Sequence, residues 1–296
     1  MSRMGDMLID QLFALAALAL KTRGFRSRYA NTAHGRVHYY ELSGSGLRPP
    51  LVLLHGIGSS ALAFAKVAPL LAPSFQKLIL PELPGHGLSD VPGDWLQGTA
   101  LFEGMSSALE VAMPEPFYFM GNSLGGMAVL RYAANAPKRL LGAVVCSPGG
   151  AQMSPETLQE VLSAFDTSTH AKGRKLVERL FAGPPRYAHL STFLIRQMVG
   201  RPPIRELMKH ISTDALLSPD ELARIRVPLL FLWGKQEKLL PIAHRDYFLA
   251  NLPPHVVTQF PEGYGHLPQI ENSKDLSRRI VEFIDEQRAR ANGAAA

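Results

Sequence analysis

The 296-residue sequence predicts an α/β fold: a mostly parallel sheet covered by helices on both faces, with a helical cap inserted late in the chain. Three observations predict it. Short continuous apolar runs recur along the chain, and stretches of helical length and periodicity separate most of them. The alternation stops between Pro148 and Arg226, where only helical patterns broken by Pro184-Pro185 and Pro202-Pro203 occur. A strand buried on both faces shows no polar alternation, and consecutive parallel strands need a crossover that a helix supplies.

The first element is Met7 to Leu20, apolar on nearly every face after Gln11 and followed by Lys21, Arg23, Arg26 and Arg28. As a helix it would extend about 21 Å, short of a hydrocarbon core of roughly 30 Å. A cleaved signal peptide fits poorly, because the charge follows the apolar run and Asp10 interrupts it. Two readings remain: the segment lies in a membrane interface with its basic residues over anionic headgroups, or it docks on the protein's own surface. Arg36 to Leu42 then alternates as a half-exposed strand. Leu51–Leu54, Lys77–Leu80, Phe117–Met120, Ala143–Cys146, Leu229–Trp233 and Val256–Phe260 read as buried strands. Helices are expected over Ala61–Leu71, Leu124–Ala136, Ile242–Leu252 and Ser273–Arg290, the last with Leu276, Ile280, Phe283 and Ile284 on one face. The resulting division is an N-terminal helix over 1–28, a core over 29–147 and 226–296, and a cap over 148–225.

Composition narrows the function classes. With 46% apolar and 19% charged residues the chain is long and apolar enough for a sizeable core, unlike a disordered chain. Cys146 is the single cysteine, which rules out an intramolecular disulfide and argues against a cysteine metal site. That fits a cytoplasmic protein, associated with the inner membrane surface if residues 7–28 act as an anchor. A formal charge of +6 without a long Lys/Arg run gives no nucleic-acid footprint. His86, in Pro84-Gly-His-Gly, has no second ligand at metal-binding spacing and reads as a loop histidine bonded to backbone groups.

Chemistry concentrates in three places. Gly121-Asn-Ser123-Leu-Gly125 has the G-x-S-x-G form between an expected strand and an expected helix. A turn that sharp strains the central residue and crowds its neighbours, so glycines flank it, while the helix N-terminus offers free N–H groups to an oxyanion. A serine nucleophile needs a base, and the base an orienting acid. His266 lies in the loop after the last expected strand. Glu237 lies in the loop after the preceding one, giving the chain order Ser123, Glu237, His266. Asp246 is the weaker alternative acid, because it falls within the following helix.

His55-Gly-Ile-Gly58, Glu82-Leu-Pro-Gly-His-Gly-Leu-Ser89, Gly121-Asn-Ser-Leu-Gly-Gly126, Trp233-Gly-Lys-Gln-Glu237 and Gly265-His266 together resemble the α/β-hydrolase superfamily, over roughly Arg36 to Arg290. The Trp-Gly-Lys-Gln segment and the apolar N-terminus are similar to membrane-associated monoacylglycerol lipases. The elbow also resembles that of hydrolases that cleave carbon–carbon bonds in ring-fission products. The resemblance implies Ser123 as nucleophile, His266 as general base then acid, and Glu237 as orienting carboxylate. It also implies the backbone N–H groups of Ile57 and Leu124 as oxyanion hole. It further implies hydrolysis of a small-molecule acyl ester through an acyl-enzyme, with no metal or organic cofactor. Phe193, Leu194, Met198 and Met208 in the cap are the residues expected to line an acyl tunnel. Glutamate stands at 237 and at 82 where aspartate is commoner; Glu82 is read as holding a loop near the elbow.

Other readings compete. Gly56-Ile-Gly58-Ser-Ser-Ala61, with Glu82 further on, matches dinucleotide-binding spacing, but leaves the elbow and the acid–histidine order unexplained. The carbon–carbon hydrolase reading is opposed by Ile57-Gly-Ser-Ser, which replaces a glycine-richer loop, and by Leu267 where tryptophan commonly follows the histidine. A non-catalytic binder of the same fold is the third alternative.

Overall fold

The computed structural model describes Gln11 and residues 14–93, 100–135 and 137–294. Eight strands form one sheet: β1 (Phe25–Thr32), β2 (Gly35–Ser43), β3 (Leu51–Leu54), β4 (Lys77–Pro81), β5 (Phe117–Asn122), β6 (Leu140–Cys146), β7 (Leu229–Leu232) and β8 (Val257–Gln259). Their order is β1-β2-β4-β3-β5-β6-β7-β8. The pairs β1–β2 and β2–β4 are antiparallel and the others parallel. Since β4 lies to one side of β3 and β5 to the other, the chain reverses its direction of travel across the sheet there. Such a switch opens a crevice at the carboxyl ends of the strands.

Helices fill the connections: α1 (Val67–Leu71), α2 (Ala100–Ala112), α3 (Leu124–Asn135), α4 (Pro155–Ser163), α5 (His170–Leu180), α6 (Ala188–Val199), α7 (Pro202–His210), α8 (Pro219–Ala223), α9 (Ile242–Asn251), α10 (Pro268–Glu271) and α11 (Ser273–Ala294). The four longest elements between β6 and β7, α4 to α7, come from the segment expected to be helical throughout. Local chemistry starts several of them. Ser154, Thr169 and Ser218 accept hydrogen bonds from the N–H groups of Thr157, Lys172 and Glu221, and Pro155 and Pro219 occupy first-turn positions where a missing N–H costs nothing.

The two sheet faces bury separate clusters, and β5 shows why. Phe117 and Phe119 pack with Val129, Leu130 and Phe248 on one face, whereas Tyr118 and Met120 pack with Leu53, Phe64 and Ile280 on the other. Period-2 geometry sends neighbours to opposite sides, so a strand covered on both faces is apolar throughout. The face of α11 expected from periodicity is the buried one: Leu276, Ile280, Phe283 and Ile284 are all sequestered. A third cluster, Phe165, Leu176, Leu180, Val199 and Leu239, sits between the inserted helices and the sheet ends.

Several expectations change. Phe25–Thr32 forms a strand, whereas the expected N-terminal helix runs through residue 28. Being an edge, β1 buries only Phe25 and Ala30, so it lacks the alternation that identifies a half-buried strand. The expected helix Ala61–Leu71 is a 3-10 turn at Ala61–Phe64 followed by α1. Helix α2 was not anticipated. Of the apolar N-terminal run, residues 14–21 are helical, while residues 7–10, 12 and 13 lie outside the described residues. Leu20 is buried and Ala17 packs on the same cluster, yet Leu15 and Leu18 are 63% and 60% exposed. Docking therefore accounts for one side of the segment only. No described helix is long and apolar enough to cross a membrane.

Phe25 joins β1 to the sheet face, with its ring edge-on to Tyr40 at 6.4 Å between centroids. Phe25→Ala should destabilise the protein by about 3–5 kcal/mol through lost burial and the cavity left behind. Chemical denaturation measures this, and an unchanged midpoint would show that β1 is not part of the cooperative core.

Candidate active site

Strand pairing creates the site. Leu54 of β3 lies opposite Gly121 of β5, so the turn leaving β3 abuts the turn leaving β5. Ser123 occupies the second turn with φ 57°, a left-handed conformation that side chains rarely adopt. The flanking glycines are required by space. A Cβ on Gly121 would collide with the backbone of Gly125, and one on Gly125 with the carbonyl oxygens of Leu54 and His55. A Cβ on Gly56 would come within 2.9 Å of the Ser123 Cβ. The Ser123 carbonyl accepts N–H bonds from Met127 and Gly149, which fix the strained turn between α3 and the loop after β6.

His266 and Glu237 come from adjoining loops beyond β8 and β7. Their side chains are each 2% exposed, and His266 Nδ1 bonds Glu237 Oε2 at 2.8 Å. Glu237 Oε1 accepts N–H bonds from Leu239 at 2.8 Å and Leu240 at 3.1 Å, which marks it as a carboxylate and His266 Nδ1 as the proton carrier. Burial works against ionisation of Glu237, but the charge and hydrogen bond of His266 and the Leu240 N–H outweigh it and hold the carboxyl below its ordinary value. The buried Ser147 hydroxyl also favours the carboxylate, although it lies outside ordinary hydrogen-bond geometry. Nearby, burial pushes His244 down to about 4 against the pull of Glu237, so this ring is neutral.

Ser123, His266 and Ile57 line one cavity of about 450 Å³. Leu124 is the first residue of α3, so its N–H has no intrahelical acceptor. The wall is largely apolar, with Ser59, Ser60, Asn122 and Ser191 as its other polar side chains, and no Lys, Arg, Asp or Glu is among the described residues lining it. Leu194 and Met198 line it as expected. Phe193 does not: it is the neighbour of Leu194 on α6, turned about 100° around the helix, and is 38% exposed. Met208 lines a second cavity, separated from the first by Phe165 and Val199, which border both. Phe165, Leu176, Leu180, Ile195 and Val199 are also part of the wall, and Ala16 of the N-terminal segment reaches it. Their amphipathic helical spacing does not distinguish a cavity wall from an ordinary core.

Sequence reasoning also missed a clamp. Asn122 is fully buried and donates from Nδ2 to the carbonyls of Cys146 at 3.0 Å and His266 at 2.9 Å. Gln269 Nε2 donates to Asn122 Oδ1 at 3.0 Å. The residue before the serine thus ties the histidine loop to the elbow. Asp246 lies in α9, exposed and paired with Arg245, away from this network.

The loop after β3 is braced by two histidines. His55 Nε2 accepts from the Leu83 N–H and its Nδ1 donates to the Gly56 carbonyl. His86 Nε2 accepts from the Gly58 N–H at 3.1 Å and its Nδ1 donates to the Pro84 carbonyl, as expected of a loop histidine. Glu82 is 1% exposed and accepts from Ala61, Leu88 and His38. Buried and engaged in holding this loop, Glu82 is not presented to a ribose, and the dinucleotide reading fails on that point.

A match to the alpha/beta hydrolase family spans residues 51–279. The chain belongs to that family. Among its relatives, the chain is 28% identical over 257 residues to the pimeloyl-[acyl-carrier protein] methyl ester esterase of Methylococcus capsulatus, covering 83% of this chain and 98% of the relative. It is 24% identical to the 2-hydroxy-6-oxo-6-phenylhexa-2,4-dienoate hydrolase of Burkholderia cepacia, covering 84% and 91%. The crystal structure of a bacterial membrane phospholipase A superimposes with a TM-score of 0.78 at 22% identity, covering 94% of this chain and 93% of that one, which establishes the shared fold.

Burial drives the His86 pKa down to about 3 from 6.5, with the neighbouring His55 adding to the effect. In the folded protein the ring stays neutral where the unfolded chain binds a proton, so stability is complete above about pH 6.5 and falls as pH drops toward 3. Between pH 7 and 5 this one group should remove about 2 kcal/mol. His86→Gln, which keeps an acceptor for Gly58, should show a shallower decline of Tm over that range. Parallel declines in the two proteins would refute the assignment.

Proposed function

We propose that the chain is a serine carboxylester hydrolase acting on neutral, lipid-like acyl esters, in the manner of monoacylglycerol lipases. One observation carries the reading: a strained, glycine-flanked serine and a histidine bonded to a buried carboxylate line the same apolar cavity. Ser123 Oγ adds to the ester carbonyl and passes its proton to His266 Nε2, the ring nitrogen left free by Glu237. The Ile57 and Leu124 N–H groups bind the oxyanion, each worth on the order of a few kcal/mol of barrier. Collapse expels the alcohol, which takes the proton from His266, and water then releases the acid by the same steps. No metal or organic cofactor enters.

The esterase and ring-fission relatives support hydrolysis and differ in substrate. A ring-fission product carries carboxylate charge that wants a cationic partner, and the cavity offers none among its described lining residues. Its largely apolar wall suits an acyl chain.

Ser123→Ala should fold normally and lose at least about three orders of magnitude in ester turnover together with fluorophosphonate labelling. Glu237→Gln should depress turnover strongly, while Asp246→Asn should leave it nearly unchanged. Unlabelled, folded wild-type protein would favour a binder; turnover of vinylogous diketone acids but not esters would favour carbon–carbon cleavage.

Membrane association through residues 7–28 belongs to the same reading. Leu15 and Leu18 project outward from the segment whose Ala16 borders the cavity, and Arg26 and Arg28 follow in β1. Full burial of a leucine contributes about 1.5–3 kcal/mol. Leu15→Glu combined with Leu18→Glu should therefore weaken sedimentation with anionic vesicles and lower activity on dispersed long-chain esters, while turnover of short soluble esters persists. Unchanged vesicle binding would remove the anchor.

A further inference from the structure

The end of α5 is finished by the loops that carry the acid and the histidine. Helix α5 stops at Leu180, and Phe181, its C-terminal cap, returns an N–H to Val177. The carbonyls of Leu180 and Phe181 have no donor within the helix, because a helix leaves its last carbonyls open. Many helices close these groups themselves, by turning back the N–H groups of the next residues. This one does not. The Ala182 N–H goes instead to Glu271, at 2.9 Å from Oε1 and 3.1 Å from Oε2, and Pro184-Pro185 have no N–H to give. The donors therefore come from outside. His266 gives its backbone N–H to Leu180 at 3.0 Å, and Lys238 Nζ donates to the carbonyls of Phe181 at 3.3 Å and Ala182 at 2.6 Å. A cation there also suits the negative end of the helix.

Glu271 ends α10, the short helix that follows His266. A Cβ on Gly265 would stand 2.4 Å from the Ala182 nitrogen and 3.0 Å from Glu271 Oε2, so the histidine loop lies directly against this segment. Burial pushes the Glu271 carboxyl above its ordinary value, while the N–H groups of Ala182, Gly183 and Gly265 and the charge of Lys238 favour the ionised form. The contacts close a ring: His266 to Leu180, along the chain to Ala182, across to Glu271 and back through α10. Leu180 and Phe181 also line the Ser123 cavity, and Lys238 follows Glu237 directly. Acid loop, base loop and cavity wall thus share one anchored segment.

We propose that Glu271 is a positioning residue for the Ser123 reaction: by holding Ala182 it fixes the end of α5, and through Leu180 the main chain of His266. The proposal rests on the hydrolase reading of Ser123, Glu237 and His266. Lys238 steadies the same segment from its exposed side. With the segment released, the imidazole loses its fixed distance to Ser123.

The test uses the full chain, a fluorophosphonate probe and a short soluble ester. Unlabelled wild-type protein would fail the hydrolase reading itself; labelling at Ser123 isolates the role of Glu271. Glu271→Gln keeps the shape but removes the charge and turns one acceptor into a donor that faces N–H groups. It should lower kcat by about 10- to 100-fold, the scale of a small misplacement of a reacting group, with KM changed less than about twofold and labelling slowed in proportion. Lys238→Met should show the same split with a smaller loss, and the double variant should lose less than the product of the two losses, because both side chains hold one segment. Unchanged kcat in folded Glu271→Gln overturns the proposal, as does a raised KM at constant kcat, the signature of a residue that only shapes the cavity. Should Glu271→Gln fail to fold, wild-type kcat in Lys238→Met overturns it, and fully multiplicative losses overturn the shared segment.

Discussion

The close approach of two backbone turns, one leaving β3 and one leaving β5, is the constraint on which the rest of the structure depends. Parallel pairing of Leu54 with Gly121 sets the turns side by side, and at Gly56, Gly121 and Gly125 even one added carbon would collide. Hydrophobic burial supplies the force: β3 and β5 are apolar on both faces, and clusters on either side of the sheet hold them in place. Strain at Ser123 is tolerable because this packing over-determines it. What emerges is a serine at the head of a helix, facing a cavity, with Gly56 against it.

The histidine must then be held to that fixed point from a loop more than a hundred residues away. Asn122 does this from inside the elbow, since it leads into the strained turn and grips the carbonyl of His266. Leu180 takes the His266 N–H from the cap side at 3.0 Å. His266 is thereby bound at its backbone to both the end of β5 and an inserted helix. A displacement of α5 would move the imidazole as well as the cavity wall.

Much of this was legible in the sequence because it rests on local rules. A glycine–serine–glycine spacing between a strand and a helix, and an acid and a histidine each following a strand, are patterns one chain position can reveal. The buried strands were legible because parallel sheets read as unbroken apolar runs. Strand β1 was not: Arg26, Ser27 and Arg28 follow one another on an edge that solvent reaches, and the period-2 signal vanishes. Asn122 and Gln269 were equally silent, since their partnership spans 147 positions and an amide advertises no partner. In the cap, Leu194 and Phe193 are chemically alike, and only the helix's rotation separates a lining residue from an exposed one.

Glutamate at 237 is intelligible once its two oxygens are considered apart. Oε1 is turned back to the N–H groups of Leu239 and Leu240, two and three positions ahead, while Oε2 reaches His266. The additional methylene, which distinguishes it from aspartate, gives the carboxylate reach to serve its own loop and the imidazole together. His244 stands by as a neutral ring, and the Ser147 hydroxyl is a polar neighbour that favours the carboxylate. A longer acid is accommodated where the loop folds back toward it, and the hydrogen bonds that fold the loop are the ones that keep the carboxylate ionised.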